Sequence, residues 1–162
     1  MKSIVVALLS TVFAAVMPAV AAPGAESPLS GRWSLDVANL PMPPEARPKR
    51  VDLDFRSVAD GKWTTRVEIV EASGNKLHSE STLSLDGTPG RATGTYWIDV
   101  LAAKMPAPDV LVMQFVYEGI PRSTRVYSVS ADGKVLTETE SYFRDGKPVL
   151  RTAFFKRVTD TP

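Results

Sequence analysis

The 162-residue chain has no cysteine and a single histidine, His78. Without thiols there can be no disulfide, no lipid-modified cysteine anchor and no thiolate metal site. With one imidazole, a metal centre would have to be built from carboxylates, and a Ser-His-Asp arrangement would need His78 enclosed. An excess of one charge is also missing: 19 Lys and Arg stand against 18 Asp and Glu, without a run of like sign. That balance offers no electrostatic basis for binding nucleic acid or an anionic membrane. No segment has a convincing helical period, and the long apolar run falls at the start of the chain.

That run, Ile4 to Met17, follows Met1-Lys2-Ser3 and leads into Pro18-Ala19-Val20-Ala21-Ala22-Pro23. A basic start, an apolar stretch too short to span a bilayer comfortably and small residues before the cut describe a signal peptide over 1–21. Cleavage after Ala21 is preferred, because a cut after Ala22 would put Pro23 first in the mature chain. The expectation is an exported, soluble protein, periplasmic or secreted. Residues 22–30 read as a flexible lead-in, 31–158 as one β domain and 159–162 as a tail.

What is present is strand alternation between glycine turns. Trp33, Leu35 and Val37 alternate with polar residues, as do Val51, Leu53 and Phe55 against Asp52, Asp54 and Arg56, and Trp63, Thr65, Val67 and Ile69 against Thr64, Arg66 and Glu68. Between the first two runs, Pro41, Pro43, Pro44 and Pro48 predict an extended loop over 38–49. Turn glycines recur every thirteen or fourteen residues at Gly61, Gly74 and Gly87, and again at Gly119, Gly133 and Gly146. Ala131-Asp132-Gly133-Lys134 and Arg144-Asp145-Gly146-Lys147 read as hairpin turns of one design. Gly87 to Gly94 reads as a long turn, since it lacks the Lys-Ser/Thr ending and following helix of a phosphate loop. Tyr96 to Ala102 and Val110 to Tyr117 are apolar on both faces, with a turn forced by Pro106 and Pro108 between them.

The count is about nine antiparallel strands of about nine residues, and a meander this long hides its edges most cheaply by closing into a barrel or a strongly curved half-barrel. The inward sets are read as Leu77, Ser79, Ser81, Leu83 and Leu85 on one strand and Val135, Thr137, Thr139, Ser141 and Phe143 on another. Small and hydroxylated residues aimed inward fit a ligand cavity, and equally a tapering filled barrel. Asp52, Asp54, Arg66, Glu68, Glu138 and Glu140 are placed outward, which argues against an outer-membrane barrel.

Gly31-x-Trp33 at the first strand, the meander and the closing Phe154-Phe155-Lys156-Arg157-Val158 resemble the calycin superfamily of lipocalins and fatty-acid-binding proteins. The resemblance implies a Trp closing one barrel end with an Arg from a late strand across its ring. Trp33 takes the first role and Arg157 the second, with Arg151 competing for it. The run Gly31-Arg32-Trp33-Ser34-Leu35-Asp36 with a Pro-rich loop and Asp-Gly-Lys turns also looks like a group of small exported bacterial proteins.

The lone His78 falls on an outward face, Asp52 and Asp54 share a solvated face with Arg56, and no cofactor or catalytic set is complete; an enzyme is the least favoured reading. The leading expectation is binding of a small apolar or amphipathic ligand in the interior by Phe55, Trp63, Val67, Leu83, Trp97, Phe115, Val126 and Phe143. The alternative is a non-catalytic envelope module that meets a protein partner through a sheet face or the 38–49 loop.

Overall fold

The computed structural model describes residues 26–159. The signal-peptide reading, the start of the lead-in and the last three residues lie outside the described residues. Ten antiparallel strands, β1 (Gly31–Leu35), β2 (Arg50–Val58), β3 (Lys62–Val70), β4 (Lys76–Ser84), β5 (Gly90–Gly94), β6 (Val100–Ala107), β7 (Val110–Tyr117), β8 (Ile120–Val129), β9 (Val135–Arg144) and β10 (Lys147–Arg157), follow one another around the wall. β1 pairs with both β2 and β10, so the barrel is closed and no edge is left free. No helix among the described residues is long and apolar enough to cross a membrane.

Strand count and boundaries differ from the sequence reading in the middle of the chain. The tenth strand is β5, inside the segment expected to be a long turn. Its end is set by Gly94, where φ is +136° and an added Cβ would lie 2.2 Å from the carbonyl oxygen of His78. Only glycine allows that approach. Thr95 and Tyr96 then both donate backbone N–H bonds to His78 O, and the strand expected from Tyr96 begins at Val100 instead. Pro106 does not turn the chain. It sits within β6 at a register irregularity, and the reversal is made at Pro108-Asp109. In the 38–49 loop, two single turns of 3-10 helix, Val37–Asn39 and Pro44–Ala46, interrupt the extended backbone, Pro44 standing at a first helical position that suits its fixed φ.

The two Asp-Gly-Lys turns are of different design. Asp145 and Gly146 both have positive φ, 51° and 73°, as a two-residue primed turn requires, whereas at the other turn only Gly133 does. There Asp132 accepts hydrogen bonds from Ser130 Oγ and the Lys134 N–H, so its side chain shapes the loop.

The floor of the barrel is solid. Leu29, Trp33, Leu53, Phe55, Leu111, Met113, Tyr127 and Leu136 are fully buried, and Phe55 packs edge-on to Tyr127 at 5.3 Å. Leu29 shows that the lead-in is structural from that point, and its carbonyl accepts the Trp33 indole N–H at 2.9 Å. The Arg157 guanidinium lies 4.0 Å above the Trp33 ring and donates to the carbonyls of Gly133, Ser30 and Pro28 at 2.7, 2.7 and 2.6 Å. A Cβ on Gly31, where φ is +122°, would lie 2.7 Å from that guanidinium, which explains the glycine two residues before the tryptophan. Arg151 plays no part there.

Candidate functional site

The end opposite Trp33 is open. Beneath the 36–49 loop and the β3–β4 turn lies a cavity of about 800 Å³, within the size range of small-molecule sites. Its apolar wall is built by Leu35, Val51, Leu53, Val67, Ile69 and Phe155, and its roof by Leu40, Pro41, Met42 and Pro48. The remaining wall is polar: Tyr96, Arg125, Glu138, Tyr142, Arg144 and Arg151, with Glu71 at the mouth. A smaller hollow of about 230 Å³ adjoins it, sharing Tyr96, Arg125, Tyr142, Arg144 and Arg151 and adding Trp97, Phe115, Arg122 and Glu140.

The polar wall exists because β9 faces the other way from the sequence reading. Leu136, Glu138 and Glu140 are 0%, 6% and 5% exposed, whereas Phe143 is 74% exposed and Val135, Thr137, Thr139 and Ser141 share its outer face. A one-residue shift of parity exchanges the faces of the whole strand, and β8 moves with it: Tyr127 is buried and Val126 points outward. Burying two carboxylates would be prohibitive without partners. The register supplies them, setting Arg125 opposite Glu140 and Tyr127 opposite Glu138 on β8, and Arg151 opposite Glu140 on β10.

Arg125 approaches Glu140 at 3.0 Å and Glu138 at 3.6 Å, donates to Tyr96 Oη at 3.1 Å and covers the Phe115 ring at 4.5 Å. Arg151 closes a further ion pair on Glu140. Burial opposes the charge of Arg125, yet Glu138, Tyr127, Tyr96 and Glu140 around it together hold it well above its ordinary pKa. Burial first, and then the negative charge of Glu138, push the Tyr127 phenol well above its ordinary value, with Arg125 acting in the opposite sense.

Of the eight residues expected to bind ligand, Val67 lines the main cavity, and Trp97 and Phe115 line the smaller hollow. Phe55, Trp63 and Leu83 are buried in the solid part of the barrel, Trp63 against Phe55 at 5.9 Å. Val126 and Phe143 are on the outer surface, and Trp97 is 59% exposed at the rim. Sequence reasoning missed Arg125, Glu138, Glu140 and Tyr142 as interior groups and the exposed Arg144 at the rim. The available signal was Arg125-x-Tyr127 on one strand and Glu138-x-Glu140 on the next, complementary pairs at spacing two. His78 is exposed, its Nδ1 3.3 Å from Thr95 Oγ1. Among the described residues no group of three His, Asp or Glu side chains is placed to hold a metal.

The barrel is similar to the crystal structure of an asparagine-to-alanine mutant of the fluorescent protein UnaG, with a TM-score of 0.52 and 14% identity over 82% of this chain and 98% of that one. The fold is calycin-like. No family model matches the sequence, and no curated protein matches it. The calycin-like barrel here has a filled floor, an open upper end and an ionic wall between them.

Proposed function

We propose that this protein is an exported carrier that binds a small amphipathic molecule in the upper half of its barrel. The observation that supports this most is the cavity of about 800 Å³, apolar on one side and lined on the other by Tyr96, Arg125, Glu138, Tyr142 and Arg151. An apolar body gains from leaving water against Leu53, Val67 and Phe155, while a polar end finds donors and acceptors held by the ion network. Export rests on the leader-like residues 1–21, and intact mass of the secreted protein should begin at Ala22. Purification under native conditions, solvent extraction and mass spectrometry test the carrier reading: a bound species recovered repeatedly supports it, and clean extracts with no uptake of added apolar probes refute it.

A second reading, an interaction module, is favoured by the outer wall. From Val110 to Gln114 on β7, Thr124 to Ser128 on β8, Val135 to Phe143 on β9 and Pro148 to Phe154 on β10, no outward-facing position carries a charge, and Phe143, Leu150 and Phe154 are exposed. The opposite wall carries Arg32–Asp52, Arg56–Asp54 and Arg66–Glu80 pairs. A second copy of the chain is the occupant we infer, because neutral surface on neutral surface meets no repulsion. Four strands about 4.8 Å apart, with neutral stretches roughly 16 to 30 Å long, offer ~400 Å², below the ~800 Å² per partner of a stable complex, so the dimer should be weak. Sedimentation at rising concentration should show dimers that Leu150→Glu abolishes; a monomer throughout refutes it.

A further inference from the structure

Three of the five buried side-chain atoms that have no hydrogen-bond partner among the described residues belong to one corner of the barrel: Trp63 Nε1, Thr65 Oγ1 and Ser81 Oγ. Their residues are 2%, 4% and 4% exposed, so bulk water does not reach them. The register accounts for the grouping. Trp63 and Thr65 are successive inward positions of β3, and β4 sets Ser81 directly opposite Thr65. The three side chains thus share one interior face, with the Cβ atoms of Thr65 and Ser81 about 5 Å apart. On its other side Ser81 faces Ala92 of β5, so small side chains surround it. The adjacent pair on the outer face behaves differently: Thr64 and Thr82, one step along the same ladder, close a hydroxyl–hydroxyl bond of 2.8 Å. The inner pair makes no such bond.

A polar atom withdrawn from water on folding keeps a hydrogen bond in some form, because leaving it unmade costs more than the bond is worth. The chemistry of the three atoms defines what completes them. The indole N–H can only donate, whereas each hydroxyl can donate or accept. Their common partner therefore carries an acceptor oxygen. It is also neutral, since the three atoms bring no charge to set against an ion buried among them. We propose that Trp63, Thr65 and Ser81 form a buried polar subsite that holds one water molecule within the filled floor of the barrel. Three protein partners are the usual number for such a water. The subsite lies one inward position below Val67, about 7 Å down β3 from the cavity wall, and is separate from whatever the cavity takes. Its effect is on the floor: bonded to the water, the Trp63 indole is fixed where it packs against Phe55 at 5.9 Å. The hydroxyl or carbonyl end of a carried molecule offers the same neutral oxygen, and refolding separates the two sources.

Thr65→Val keeps the shape of the side chain and Ser81→Ala only shortens it, so each removes one hydroxyl and little else. With a water bridging the three groups, each variant strips a hydrogen bond, and its thermal midpoint should fall by about 2 to 4 °C. Hydroxyls without a partner give the opposite sign, because deleting a buried unpaired group stabilises the fold. A midpoint raised or unchanged in either folded variant overturns the subsite. The water itself is read from the Trp63 indole N–H resonance, identified by its disappearance in Trp63→Phe. Its cross-peak to the water signal should have the sign of a molecule that tumbles with the protein, while the exposed Trp97 shows only the response of surface water. A Trp63 resonance without that cross-peak overturns the proposal. Both measurements are repeated on protein unfolded in urea, desalted and refolded, which leaves any carried molecule behind. A lowered midpoint and a cross-peak that survive refolding support the water, whereas effects lost on refolding assign the oxygen to a carried molecule and overturn it.

Discussion

Replacing Arg157 by methionine keeps the length and the apolar stem but removes the guanidinium that seals the floor of the barrel. The structure gives the size of the loss. A cation 4.0 Å above an indole face contributes about 0.5 to 2 kcal/mol. The three hydrogen bonds to the carbonyls of Pro28, Ser30 and Gly133 join segments more than 120 residues apart on one side and the β8–β9 turn on the other. Each is charge-assisted, but the carbonyls are half-open to water and can be rehydrated in part, so together they add about 2 kcal/mol rather than their full sum. A total near 3 kcal/mol corresponds to a Tm lowered by roughly 6 to 12 °C for a domain of this size. Urea unfolding followed by tryptophan fluorescence would measure it. Arg157→Lys should recover a minor share, because a point charge reaches one carbonyl at a time and stacks less well. A methionine variant within about 0.5 kcal/mol of the parent would refute the account of how this end is closed.

Three further outcomes follow from the interior. The Tyr127 phenol is favoured neutral in the folded state, its pKa lying above the unfolded value, so its contribution is complete below about pH 10 and is lost as pH rises beyond that. The denaturant midpoint should therefore fall above pH 10, less steeply in Tyr127→Phe, and absorbance titration at high pH should show one of the 4 tyrosines ionising only with unfolding. The parity of β9 is tested by Leu136→Ala against Phe143→Ala: the first removes a side chain with no exposed surface and should cost about 2 to 5 kcal/mol, the second under about 1 kcal/mol. Equal costs in urea titration would return β9 to the opposite facing.

The closed antiparallel meander was legible because its signals are local: alternation in Val51 to Arg56 and Trp63 to Ile69 fixes strand and face together, and positive-φ glycines mark the reversals. The pairing of Trp33 with an arginine of the last strand was legible as a resemblance, though choosing between Arg151 and Arg157 needed the register. The ionic wall was not legible, for a physical reason. On β9, Val135-x-Thr137-x-Thr139-x-Ser141-x-Phe143 and Leu136-x-Glu138-x-Glu140-x-Tyr142 each have apolar ends and a polar middle, so period-two reasoning has no apolar face to prefer. The decision is made by Arg125 and Arg151 on the neighbouring strands, a cross-strand compensation that no single strand displays. Because the candidate ligand residues were picked as large apolar groups, Phe55, Trp63 and Leu83 fell in the filled floor and Val126 and Phe143 on the outer wall, leaving Val67 in the main cavity and Trp97 and Phe115 at the smaller hollow. A cavity is left where side chains are too few or too polar to pack, as at Ala153, Tyr96 and Tyr142.

The central claim is that the upper half of the barrel is a ligand cavity, and Ala153 offers the most direct test. This residue is 8% exposed and lines the cavity on β10 between Arg151 and Phe155. Ala153→Trp would place an indole in the open space, beside Glu138, which faces Ala153 across the β9–β10 register. Titration with N-phenyl-1-naphthylamine should give one site per chain in the parent protein and at least tenfold weaker binding in the variant, with the thermal midpoint held or raised by the filled volume. Probe affinity unchanged by Ala153→Trp in a folded protein would place the binding elsewhere and contradict the account.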